Sequence, residues 1–219
     1  MRLADLSERS GVSPATIKYY LREGLLPPGR LINTTQAEYD ESHLRRLRLV
    51  RAMIQIGRIP VATVREVLGH VDDDSLGLTI RLGAALWVLP HPGEPAPDAP
   101  DASDDPSTDV ARKRVDDLLA RLGWTTAREV GDLSPAYRAL VSTLATLDRL
   151  GHSLDADDML PYAHSMEQAA TYDLDRMEIL PTPAEQTEYA VTAAVLFEPI
   201  LLNLRRLAQS EESARRYGL

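Results

Sequence analysis

Between Ser13 and Leu26 the chain reads SPATIKYYLREGLL, and this stretch holds the residue types best suited to gripping a polyanion. At the 3.6-residue period of an α-helix, Lys18 and Arg22 share one side, with Thr16 and Tyr19 beyond them. Ile17, Tyr20 and Leu21 fall on another side. Ser13 suits an N-cap and Pro14 the first helical position, and Gly24 breaks the helix ahead of Leu25 and Leu26. Cations, hydroxyls and aromatic rings on one helical face are groups that phosphate oxygens and base edges accept. An ordinary surface helix shows the same pattern, so the neighbouring elements decide between the two.

Other chemistry is thin. The 219 residues include no cysteine, which removes disulfides, thiolate metal sites and cysteine nucleophiles. His43, His70, His91, His152 and His164 are scattered, and there is neither a Gly-rich phosphate loop nor a nucleophile elbow. Asp155, Asp157 and Asp158 resemble a metal-binding run, but no later Gly and Glu complete an EF-hand loop. Acids drawn to a helix N-terminus explain them better. No metal, no cofactor and no enzymatic activity are expected. No apolar run approaches the roughly 18 residues of a membrane span, and MRLADLSERS has no apolar signal core. A cytoplasmic protein without a membrane partner is the expectation.

The formal net charge of −9 looks wrong for nucleic-acid binding until it is divided. Residues 1–70 carry +4 and the remainder −13. This asymmetry suggests a basic segment for an acidic partner, joined to an acidic part that need not touch it.

Several elements must position the first stretch. Arg2 to Arg9 reads as a short helix with Leu3 and Leu6 on one face. Ser10-Gly11-Val12 makes a tight turn into the next helix, which gives a helix-turn-helix pattern. Pro27, Pro28 and Gly29 then open a loop carrying Arg30, Asn33, Thr34, Thr35, Gln36 and Tyr39, either a polar surface loop or a wing beside the recognition helix. Asp40 to Ile56 is a helix with two apolar sides and Arg45, Arg46, Arg48 and Arg51 between them. Gly57-Arg58-Ile59-Pro60 is a tight corner before a helix over Val61–Val71.

That order, together with ATIKYYLREGLLPPGR and QAEYDESHLRRLRLVRAMIQIG, resembles the N-terminal winged helix-turn-helix domain of the MerR family of bacterial transcription regulators over residues 1–71. The resemblance implies DNA-binding roles for Thr16, Lys18, Tyr19, Tyr20, Arg30, Tyr39 and Arg58, and Ser13, Arg22, Asn33, Thr35 and Gln36 join them as DNA-binding candidates by residue type and position. Lys18 stands where the family usually has Arg; it keeps the charge but not the bidentate geometry, and so reads as a phosphate contact. Arg30 and Tyr39 match wing positions, whereas Glu38 replaces a frequent basic residue. Tyr20 faces the side of Ile17 and so also has a structural part to play. A homodimer on a pseudo-palindromic double-stranded operator follows from the same resemblance, with a small-molecule effector and RNA polymerase at the promoter as candidate further partners. The competing reading, motivated by the net charge and Glu38, is a protein-interaction adaptor that keeps the winged fold without DNA binding.

Beyond Val71 the chain departs from the family plan, in which a long helix pairs into an antiparallel coiled coil. Residues 72–89 predict only a short connecting helix over Leu76–Leu89, either a truncated dimer helix with Trp87 packing at its end or a helix docked on its own domain. Residues 90–108, PHPGEPAPDAPDASDDPST, read as a flexible acidic linker of Pro, Ala, Asp and Ser. Residues 109–219 are expected to form an all-helical effector or dimerisation module. Its last helix is apolar nearly all round over Ala190–Leu202, as the centre of that module's core or as a subunit interface. Met159, Tyr162 and Met166 are candidates to line an apolar effector pocket, or else belong to the core. The fold class is therefore mostly α: a winged helix-turn-helix domain followed by an all-helical module. Operator, effector and the choice between activation and repression are not written in the sequence.

Overall fold

A computed structural model of the chain describes residues 1–33, 36–94 and 105–218. The contacts divide it into two compact units, Met1–Leu89 with Met177–Leu219, and Pro90–Arg176. The expected 109–219 module is thus split: its last helix belongs with the N-terminal residues.

The first unit begins with α1 (Leu3–Ser10) and α2 (Pro14–Arg22). Gly11 adopts φ 65° and returns its N–H to the Ser7 carbonyl, a left-handed cap that a side chain would disfavour. Ser13 Oγ accepts from Thr16 N at 3.1 Å, so the predicted N-cap forms and Pro14 opens the helix. Two strands follow, β1 (Arg30–Asn33) and β2 (Gln36–Glu38), antiparallel with Arg30 opposite Glu38 and Leu31 opposite Ala37. The chain start anchors this wing. The N-terminal ammonium donates to the Tyr39 carbonyl at 2.6 Å, and Tyr39 N donates back to the Met1 carbonyl at 2.8 Å.

Asp40 caps α3 (Glu41–Arg51) by accepting from Ser42 N and His43 N. The helix widens into a π-helical turn over Ala52–Ile56, and α4 (Val61–Val71) and α5 (Leu78–Trp87) complete the N-terminal part. Leu6, Ile17, Leu44, Leu47, Val50, Met53, Val64 and Val67 form its core. The short helix α5 docks on its own unit, with Ala85 and Leu89 buried, while Trp87 stays 46% exposed instead of packing.

The same core takes in Val191 and Val195 from α10 (Pro183–Tyr217). Thr187, Val191 and Val195 recur every four residues and line one face. Thr187 hides its hydroxyl by donating to the Pro183 carbonyl at 2.8 Å. The packing is close at Gly57, where a Cβ would lie 2.7 Å from Val195 Cγ1. Neither expectation for Ala190–Leu202 describes this arrangement. The stretch lies neither in a C-terminal module core nor wholly at an interface, because its buried face closes the winged unit.

The second unit contains α6 (Pro106–Leu122), α7 (Thr125–Val130), α8 (Pro135–Arg149) and most of α9 (Ala156–Glu178), which runs uninterrupted through Pro161. Val115, Leu118, Tyr137, Val141, Leu144 and Met159 share its core. Tyr137 donates to Asp116 at 2.8 Å; burial, followed by that acidic partner, pushes its hydroxyl pKa up to about 12. Of the expected linker, residues 95–104 lie outside the described residues; Asp105 and Pro106 already begin α6.

Candidate nucleic-acid interface

The candidate interface is drawn from α2, the β1–β2 hairpin and the corner at Gly57-Arg58-Ile59-Pro60. On α2 the division predicted from periodicity holds. Ile17 and Tyr20 are buried, whereas Lys18 and Arg22 are exposed and Thr16 and Tyr19 half-buried. Tyr19 and Tyr20 lie with ring centroids 5.9 Å apart, so a core residue props the outward one.

What separates the basic residues of the first unit is whether a carboxylate already holds them. Arg9 grips Glu41 through two hydrogen bonds of 2.5 and 3.1 Å. Arg65 donates to the Glu23 carboxylate at 2.6 Å and to its carbonyl at 2.9 Å. Arg46, with its side chain 9% exposed, pairs with Asp72, and Arg51 spans Gln55 and the Ser10 carbonyl. Among the described residues of the first unit, Lys18, Arg22 and Arg58 form no such pair, and neither do Arg2, Arg48 and Arg51; the first three are set apart by lying on α2 and at the strained corner before α4. Three exposed cations without a carboxylate are better placed for a phosphate than cations that must first break an ion pair. Arg58 holds φ 52°, the one non-glycine residue with positive φ among those described. A backbone of this kind is strained for a side chain with a Cβ and aims the residue in a way a regular helix end would not.

Among the other residues named from the sequence, Tyr20 keeps only the structural part that its spacing to Ile17 indicated, and Tyr39 joins it in the core. Tyr39 is 7% exposed and Tyr20 4%. Tyr39 packs edge-on against His43 with centroids 5.2 Å apart, and burial raises the Tyr20 hydroxyl pKa. Both rings therefore serve the core, because the helix and wing must bury an apolar side to stand on the domain. Arg30 reaches across the hairpin to Glu38, which neutralises it. Ser13 and Thr16 share a hydroxyl hydrogen bond of 2.8 Å, and Asn33 donates to Gln36 at 3.3 Å. Thr35 lies outside the described residues. The proposed effector trio is not brought together: Met159 is in the core, while Tyr162 and Met166 are 56% and 46% exposed. Tyr162 and Met166 lie one turn apart on α9, and Met159 points from that helix into the unit.

Sequence reasoning missed the acidic partners supplied by α10. Glu185 and Glu188 stand 3.5 Å from Arg45 at its Nη2 and Nε, and Glu188 stands 3.6 Å from Arg46 Nε. Burial raises the Glu188 pKa, against the lowering pull of Arg46 and then Arg45. The only signal in the sequence was the spacing of Glu185, Glu188 and Thr192 around Val191, which reads as helical but not as facing Arg45.

Among the described residues no three His, Asp or Glu are grouped so as to hold a metal ion, and no helix is long and apolar enough to cross a membrane. Residues 1–70 match the MerR HTH regulatory-protein family. The chain is 30% identical over 73 residues to a mercuric resistance operon regulatory protein of Bacillus cereus, covering 33% of this chain and 54% of that one. It is also 30% identical over 57 residues to the HTH-type transcriptional regulator AdhR of Bacillus subtilis (strain 168), covering 26% and 41%. The matched segment thus spans about half the length of these curated relatives. A solved structure extends the likeness to the whole chain: a protein assigned as a transcriptional regulator, SCO5550 of Streptomyces coelicolor A3(2). It is 61% identical, covers 100% of this chain and 99% of its own, and superposes with a TM-score of 0.84. With helix-turn-helix, wing and full-length likeness agreeing, the chain belongs to the MerR family of transcriptional regulators.

Proposed function

We propose that the winged unit binds double-stranded DNA, that two copies of the chain occupy the half-sites of a pseudo-palindromic operator, and that a small molecule adjusts the complex at a promoter served by RNA polymerase. The observation that carries the DNA reading is the exposure of Lys18 and Arg22 on α2, the helix after the tight turn, with neither these two nor Arg58, at the corner after α3, held by a carboxylate. The recognition helix enters the major groove with Tyr19 beside Lys18, and Arg58 grips the backbone alongside it. Arg30 needs its Glu38 partner released before it can contact a phosphate, so it contributes less than Lys18, Arg22 and Arg58.

The dimer reading is supported by α10. Beyond Pro199 it runs out with Ile200, Leu204 and Leu207 at 52%, 57% and 64% exposure. A seam at spacings of four and three fits a second helix of the same kind.

Lys18→Ala and Arg22→Ala are expected to weaken binding to specific and nonspecific DNA alike. Each should flatten the dependence of log affinity on log salt by about one unit. Fluorescence anisotropy at several salt concentrations reads both effects. Affinities and slopes equal to those of the parent protein would remove α2 from the interface. An absence of specific retardation on the promoter of its own gene would favour the adaptor reading, which the Arg30–Glu38 pair also favours.

A further inference from the structure

Helix α2 is nine residues long and stands on the first unit through two buried side chains, Ile17 and Tyr20. They lie three residues apart, about 4.5 Å along the axis. Anchors so close together fix the face that α2 turns inward and do less to fix its tilt. At its end the chain turns away through Gly24, at φ 73°, and Leu25 and Leu26 return it to the core. Gly24 is thus a joint between α2 and its nearest buried neighbours in the chain. Leu25 N closes the last turn on the Tyr20 carbonyl at 2.9 Å, while the carbonyl of Glu23, the C-cap, points out of the helix. Arg65 of α4 takes hold there. Its Nε donates to the Glu23 carbonyl at 2.9 Å and its Nη2 to the Glu23 carboxylate at 2.6 Å. One edge of a planar guanidinium therefore grips two oxygens of a single residue. The grip has a firm root: Val64 and Val67 on either side of Arg65 are fully buried, and α4 packs on both α5 and α10. A cation also suits the carbonyl end of a helix, and it pairs the acid that stands next to Arg22.

We infer that Arg65 is a positioning residue for DNA reading: it contacts no DNA itself, but by holding Glu23 it sets the tilt of α2 and so where Lys18 and Arg22 come to rest in the groove. This rests on the DNA-binding reading of α2. A phosphate contact tolerates a small displacement, because a charge attracts over several ångströms, whereas a hydrogen bond to a base edge does not. Loss of the grip therefore costs specificity more than general affinity. Lysine does not replace Arg65, since an ammonium is a point charge without the two-pronged edge. The pair is half-exposed, with side chains 50% and 34% accessible, and ion pairs of that kind add little to stability. Its effect on binding is thus separable from folding.

The test compares the full chain with Arg65→Gln, Arg65→Lys and the double variant Arg65→Gln with Glu23→Ala. The probes are a duplex from the promoter of its own gene and a shuffled duplex of the same length. Arg65→Gln should weaken the promoter duplex roughly tenfold and the shuffled one less than about threefold, with the salt slope unchanged. Arg65→Lys should recover only part of the loss. The double variant, which removes the uncovered carboxylate, should lose no more than Arg65→Gln alone, because both changes break one interaction. Hydrogen exchange over residues 19–26, measured without DNA, should speed up roughly fivefold in Arg65→Gln while the thermal midpoint stays near the parent's. Equal losses on both duplexes with a flatter salt slope would make Arg65 a phosphate contact and overturn the inference. Additive losses in the double variant, full rescue by lysine or unchanged exchange would overturn it too. If the parent itself fails to prefer the promoter duplex, the DNA reading falls and takes this inference with it. If the parent prefers it and Arg65→Gln does so equally well, only the inference falls.

Discussion

The two halves of α10 have similar apolar content and opposite fates. In the first, Thr187, Val191 and Val195 are exposed by 0%, 0% and 8% and complete the core of the winged unit. In the second, Ile200, Leu204 and Leu207 remain more than half exposed. What lies over each half accounts for the difference: α10 packs on α3, α4, α5 and the π-helical turn of its own unit, with Val191 and Val195 in the shared core, whereas Ile200, Leu204 and Leu207 stay exposed. Residues recurring strictly every four along the first half make a narrow stripe that lies flat in the groove beside Gly57. After Pro199 the apolar residues alternate steps of four and three, the pattern of a helix that meets another helix.

The harshest way to break this comparison is to charge the first half. Val191→Asp places a carboxylate at a fully buried position with no cation beside it among the core residues. It should destabilise the first unit by about 3 kcal/mol or more. Urea denaturation followed by circular dichroism checks this. A loss below roughly 1 kcal/mol, within the range of ordinary substitutions, would mean that the first half of α10 is not part of the core.

Leu204→Glu with Leu207→Glu sharpens the contrast from the other side. These positions are solvated within one chain, so monomer stability should change by less than about 0.5 kcal/mol, while like charges along the seam oppose pairing. Light scattering should report a dimer for the parent and a monomer for the double variant. A parent that is monomeric at working concentration would leave the seam without its assigned partner, and a variant that unfolds would place these leucines in a core.

The same contrast explains what was legible in the sequence. Helix α2, its Ser13 cap and the outward setting of Lys18 and Arg22 follow from interactions within a few residues, which a local pattern can register. The wing strands were legible as a loop with the right side chains, although the pairing of Arg30 with Glu38 depends on register. The inward side of Tyr20 was legible from its helical spacing to Ile17, whereas the placement of Tyr39 turned on how much of its ring the domain needed for its core, a tertiary demand that its polar hydroxyl conceals. The docking of Val191 against a core begun at Leu6 was the least visible feature. The whole second unit lies between the two in sequence, and periodicity names a buried face without naming the surface that buries it. Glu185 and Glu188 were hidden for the same reason: their partners, Arg45 and Arg46, read as free basic residues until α10 lies over them.

Those glutamates supply the smallest and most specific test of the docked half. Burial holds the Glu188 pKa above that of a solvated glutamate, because Arg45 and Arg46 stand too far off at 3.5 and 3.6 Å to offset the loss of water. Between the unfolded and folded pKa the folded chain binds more protons than the unfolded one, so Glu188 makes stability fall as pH rises through that window. Asp40 acts in the opposite sense. Hydrogen bonds from Ser42 and then His43 lower its pKa, so its contribution is present above the unfolded pKa and is lost only on strong acidification. Asp73 is likewise lowered by Ser75. The whole-protein curve therefore mixes both signs, and the informative quantity is the difference between parent and Glu188→Gln. The glutamine keeps the volume, and Arg46 retains Asp72, so the variant should fold. From just below pH 4.5 upward, the parent should lose stability relative to the variant and then run parallel to it once Glu188 is ionised. Parallel curves throughout would mean that Glu188 is solvated, and that the first half of α10 rests on α3 more loosely than Val191 and Val195 imply.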